Sequence, residues 1–137
     1  MSLYSQPDRT SSNSLELALA SMARATDLAT GTRATEMLID AVGNNHAGTY
    51  SPEVLDVIPL VQGILQTGSP WAQRALLEAL IDLCGSFQPQ PGCELYEGKP
   101  LDRLLHARVR ALSSDIKAVA QLPSAAAGSA ADLLAVL

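Results

Sequence analysis

Apolar residues recur at three- and four-residue intervals along most of the chain, the period of a helix that buries one face. Leu15, Ala18, Leu19, Met22 and Ala25 share such a stripe, with Arg24 and Asp27 pointing away. Asn13 followed by Glu16 has the form of a capping box, which predicts a helix start there and leaves residues 1–12 as an extended polar arm. Thr30-Gly31-Thr32 predicts a stop and a new cap. In the second helix Ala34, Met37, Leu38, Ala41 and Val42 form the apolar stripe, Arg33, Glu36 and Asp40 the wet face, and Gly43 the terminator.

Residues 43–50 read as a loop, rich in types that tolerate a left-handed backbone. Ser51-Pro52 then places a serine at an N-cap and a proline at the first helical position. The helix that follows carries Val54, Leu55, Val57, Ile58, Val61, Ile64 and Leu65, with Pro59 inside it as a predicted bend. Gly68 ends it, and Ser69-Pro70 repeats the start signal for a helix running to about Cys84. Phe87-Gln88-Pro89-Gln90-Pro91-Gly92 predicts a rigid, irregular connector over 85–99. Leu101, Leu105, Val109, Leu112, Ile116 and Val119 predict one long helix from Pro100 to about Gln121. The low-complexity tail predicts a short final helix at Ala130–Val136.

These elements make one all-α domain over 1–137, with helical hairpins at 13–84, the connector at 85–99 and the last helices at 100–137. Composition strengthens the assignment: 47% of residues are hydrophobic but only 4% aromatic, so the core is built of leucine and alanine, both good helix formers. The net charge of −5 repels phosphate backbones and anionic lipid, which argues against nucleic-acid and membrane-surface binding and favours a cationic protein partner. No basic-then-apolar leader is visible and no apolar run approaches the ~20 residues of a membrane span, so a cytoplasmic protein is expected. Cys84 and Cys93 then read as reduced thiols, with a disulfide between them as the alternative.

The stretch 54–83 carries the most information. An internal proline in its first helix (Pro59), the short capped turn Thr67-Gly68-Ser69-Pro70 and the run Arg74-Ala75-Leu76-Leu77-Glu78-Ala79-Leu80 together resemble a HEAT repeat. The turn lacks the aspartate common in that family, and the chain is too short for the three or more units that a solenoid needs. The resemblance therefore implies a compact HEAT-like bundle of α-α hairpins, a short α-solenoid at most. The order SPWAQRALLEALIDLCGSF, Pro-rich connector, YEGKPLDRLL and final helix is also similar to small HEAT-like proteins encoded beside bacterial secreted toxins, type VI effectors included. That resemblance implies an immunity protein that binds and neutralises a cognate toxin domain.

Catalytic chemistry finds little support. No Gly-rich phosphate loop or G-x-S-x-G elbow is present, and His46 and His106 lie far apart with no cysteine or histidine at metal-ligand spacing. No catalytic residue, metal or cofactor is assigned, and the chain reads as a non-enzyme. The candidates for partner contact are the i,i+4 acid pairs Glu36 with Asp40 and Glu78 with Asp82, the loop residues His46 and Tyr50, and Trp71. Each has a plain structural counterpart: the acids as a solvated face beside Arg33 and Arg74, Trp71 as the cover of a core end. A non-catalytic scaffold or adaptor, with a homodimer left open, is the competing reading.

Overall fold

The computed structural model describes residues 7–137, with side chains from Asn13 onward. Among the described residues seven helices follow one another: α1 (Pro7–Ala23), α2 (Leu28–Val42), α3 (Val54–Thr67), α4 (Pro70–Gly85), α5 (Leu101–Arg110), α6 (Ser113–Ala120) and α7 (Ala127–Val136). They form a compact all-α bundle. Five two-residue strands decorate its connections: β1 (Gly43–Asn44), β2 (Thr49–Tyr50), β3 (Gln88–Pro89), β4 (Leu95–Tyr96) and β5 (Lys99–Pro100). No helix among the described residues is long and apolar enough to cross a membrane.

Helix α1 already includes Pro7–Ser12, ahead of the capping-box signal at Asn13, so residues 7–12 of the expected arm are helical. Residues 1–6 of that arm lie outside the described residues. The break between α1 and α2 also falls earlier than Thr30-Gly31-Thr32. Asp27 is the N-cap of α2 and forms a capping box with Thr30: its Oδ1 accepts from the Thr30 amide at 2.8 Å, and Thr30 Oγ1 accepts from the Asp27 amide at 3.2 Å. Gly31 is therefore a helical residue, buried where α2 passes α4.

Ser69 caps α4 by accepting from the Ala72 amide at 3.1 Å, with Pro70 opening the helix as the sequence predicts. Helix α3 continues through Pro59. The proline leaves the Leu55 carbonyl without its helical donor, and Arg108 Nη1 of α5 reaches that oxygen at 3.4 Å. The expected long helix at 100–121 is two helices. Ser113 Oγ donates to the Arg110 carbonyl at 2.6 Å, competing with continuation of the ladder, and α6 restarts there. This turn lets Ile116 and Val119 enter the core alongside α7.

Helix α4 is the hub. Ala72, Ala75, Leu76, Leu77, Ala79, Leu80, Leu83 and Cys84 are all buried, so the helix is covered around most of its circumference. Its main neighbours are α2 on one side and α7 on the other, while α3 adjoins α5 more closely than it adjoins α4. The sequential pairs α1–α2 and α6–α7 pack closely, and α4 joins them through α2 on one side and α7 on the other.

The 43–50 and 85–99 segments carry more order than a plain loop and connector. Strand β1 pairs antiparallel with β2, and β2 pairs parallel with β3, tying both connections into one three-stranded sheet. Gly43 permits the hairpin, since a Cβ there would lie 2.2 Å from the Thr49 carbonyl oxygen. Strands β4 and β5 form a second hairpin around Glu97 and Gly98, both with positive φ, the geometry that matches the twist of a two-residue turn.

Candidate functional site

Helices α2 and α4 face each other across a cleft of about 250 Å³. Helical spacing puts Leu28, Gly31, Thr35 and Ile39 of α2 opposite Trp71, Ala75, Glu78 and Asp82 of α4. Small residues set the depth. A Cβ on Gly31 would sit 3.6 Å from the Trp71 carbonyl oxygen and 3.7 Å from the Ala75 Cβ, so the helices are near contact there. Thr35 Oγ1 closes the floor by donating to the Ala75 carbonyl at 2.8 Å. That hydroxyl is buried and fully engaged in joining the two helices.

The walls are charged. Glu36 stands on the α2 side, Arg74, Glu78 and Asp82 on the α4 side, and Asn45 of the following turn closes one end. Three carboxylates against one guanidinium leave the cleft with surplus negative charge. Arg74 does not spend its charge as the expected partner of Glu78; its guanidinium carbon lies over the Trp71 ring, 5.6 Å from the centroid, a cation–π stack. Glu78 is positioned from α7, where Ser129 Oγ donates to its Oε2 at 2.6 Å. Asp82 is half-buried, and desolvation, with the Glu78 charge as a smaller cause, raises its pKa above the ordinary aspartate value. A cation close to Asp82 would favour its charged form and oppose both causes.

Four of the sequence-predicted contact residues therefore meet at one site: Glu36, Trp71, Glu78 and Asp82. Asp40 does not line the cleft; its Oδ1 accepts from the Asn45 amide at 2.9 Å and holds the turn that places Asn45. His46 is exposed on that same turn, outside the cleft. Tyr50 is a correction. It is only 1% exposed and belongs to the core, because pairing of β2 with both β1 and β3 turns its ring inward. Burial first, then the charges of Asp102 and Cys84, push its hydroxyl up to about 12. Sequence reasoning missed Thr35 and Ser129, whose partners lie 40 and 51 residues away along the chain. Arg74 had a local signal, since it follows Trp71 by three residues on the same helix face.

Both cysteines are free thiols. Burial pushes the Cys84 thiol up to about 11 despite the opposing influence of Arg110, so it holds almost no thiolate at neutral pH. Among the described residues no three His, Cys, Asp or Glu side chains gather as a metal site would require. No protein-family model matches the chain, and neither a curated protein nor a solved structure is significantly similar to it.

Proposed function

We propose that this protein is a non-catalytic protein-binding module whose α2–α4 cleft receives a basic side chain of its partner. The observation that carries this reading is the convergence of Glu36, Glu78 and Asp82 from two helices around one concave site. A lysine or arginine entering there meets carboxylates that have surplus charge, and charge-assisted hydrogen bonds are about twice as strong as neutral ones. Leu28 and the Trp71 indole at the other end offer apolar surface to the aliphatic stem of such a side chain. Tryptophan in a partly desolvated pocket is also the residue type most often found to dominate an interface.

The partner we propose is a secreted-toxin domain neutralised in the cytoplasm, on the resemblance of the order SPWAQRALLEALIDLCGSF, Pro-rich connector, YEGKPLDRLL and final helix to immunity proteins. One observation favours the scaffold alternative: an apolar groove between α3 and α5, lined by Ile58, Pro59, Leu104, Ala107 and Leu112, with Leu60 exposed on α3. The test is binding of a toxin encoded beside this protein to the wild type and to Glu78→Lys/Asp82→Lys. Reversing both charges should weaken binding by at least about 30-fold, as expected for a desolvated charge contact. It should also reduce the salt dependence of association. Unchanged affinity and unchanged salt dependence would remove the cleft from the interface.

A further inference from the structure

The charge of the chain is unevenly distributed. Residues 99–117 hold five of the nine Lys/Arg and two of the fourteen Asp/Glu, so this stretch carries +3 and the remainder −8. On α5 the excess becomes a face: Arg103, His106 and Arg110 fall at i, i+3 and i+7 and, with Asp102, line a surface concavity of about 340 Å³. Both arginines are exposed and His106 is half-buried. Asp102, the one carboxylate in this group, has its Oδ1 on the Arg103 backbone amide at 2.8 Å. The two guanidinium groups are thus spaced along about 10 Å of helix. The acids of the α2–α4 cleft come from both of its walls, Glu36 from α2 and Glu78 with Asp82 from α4.

We infer that the basic face of α5 docks into the α2–α4 cleft of a second copy of this chain, Arg103 and Arg110 supplying the cations that the cleft carboxylates lack. This rests on the reading of the cleft given above. A nucleic acid fits the α5 face poorly, because a polyanion extending past it meets a surface with a net charge of −8. The overall −5 of each copy does not forbid association. At physiological salt the screening length is about 8 Å, so charges near the contact outweigh those on the far sides. Made twice about a two-fold axis, the contact closes a dimer; made once, it leaves ends that add further copies. A basic partner then competes with α5 for the cleft, so the free protein is held in a self-associated state until that partner arrives.

The experiment is light scattering and sedimentation of the full chain over a range of concentrations at about 0.05 M and about 0.5 M NaCl, where screening lengths are about 14 and 4 Å. The mass should rise above 14.4 kDa with concentration at low salt and fall back at high salt. Arg103→Glu/Arg110→Glu and Glu78→Lys/Asp82→Lys should each associate at least about tenfold more weakly, with unchanged circular dichroism. Mixed in equal amounts, the two variants should assemble again, since each then presents the charge the other lacks. A chain that stays at 14.4 kDa throughout overturns the inference, as does an arginine variant that associates like the wild type. A monomeric protein whose cleft still binds a basic partner overturns this inference alone. Assembly that needs the cleft carboxylates, without any such partner, overturns the binding-module reading instead.

Discussion

Arg108 should stabilise the fold through a single carbonyl that Pro59 leaves without a donor. Leu55 is 3% exposed, so water has little access to its backbone, and Arg108 Nη1 stands in for the absent amide at 3.4 Å. A hydrogen bond to a charged donor contributes about 1.5–3 kcal/mol at good geometry. Here the distance is long and the Arg108 side chain is exposed, which places the contribution nearer about 1 kcal/mol. Arg108→Met removes the donor and keeps most of the aliphatic stem. It should lower the melting temperature by roughly 3–4 °C in a chain of this length. The decisive measurement is a double-mutant cycle with Pro59→Ala, followed by urea unfolding read from Trp71 fluorescence. Alanine returns an amide to position 59, so the Leu55 carbonyl regains its helical donor and no longer needs the guanidinium. In that background Arg108→Met should cost less than about 0.3 kcal/mol, a coupling of roughly 0.7 kcal/mol. Equal losses in both backgrounds would refute the reasoning and leave Arg108 as a surface residue with no link to the proline.

Three further outcomes follow from local geometry. Because the folded-state pKa of Asp82 is raised above its unfolded value, its ionisation destabilises the fold above that pKa, and the penalty disappears as pH falls below the unfolded value near 3.8. Asp82→Asn should therefore raise stability at pH 7 and not at about pH 3 by thermal unfolding, and a gain that persisted at low pH would point to packing instead. Gly43→Ala should destabilise by about 1–3 kcal/mol, since the new methyl carbon would start 2.2 Å from the Thr49 oxygen and must push the hairpin open. A chemical-denaturation midpoint within error of the wild type would show that β1 and β2 are not held in this register. Glu97 has φ 51° ahead of Gly98, and Glu97→Asn creates the Asn-Gly pair that this turn favours. It should add roughly 0.5–1 kcal/mol in calorimetry, and no gain would show that the left-handed turn carries little strain.

Surplus negative charge in the cleft has a structural origin. Arg74 has the local spacing of a Glu78 partner, but its guanidinium lies over the Trp71 indole, and Ser129 of α7 donates to Glu78 Oε2. Glu78 is consequently held in place by a neutral hydroxyl rather than by a cation. Ionisation of half-buried Asp82 beside Glu78 therefore costs the isolated fold some stability.

The amino-acid pattern alone determined where most helices lie and which faces they bury. A 3.6-residue period sets a face whatever the partner, and Ser69-Pro70 starts α4 by chemistry confined to four neighbouring residues. It also placed Glu36, Trp71, Glu78 and Asp82 on helices, at spacings that make them neighbours within each helix. The facing of α2 against α4 across one cleft was decided by the tertiary structure. That choice depends on Gly31, Thr35 and Ala75 letting two backbones approach, a property of the pair that neither helix shows by itself. Local rules also misplaced the α1–α2 break, because Asp27 with Thr30 offered a second capping box, and they joined α5 to α6, because Leu112 and Ile116 keep the apolar period across a turn that Ser113 makes. Tyr50 moved from a contact residue to the core for the same reason: its ring is turned inward by pairing of β2 with β1 and with β3, whose Pro89 lies 39 residues later.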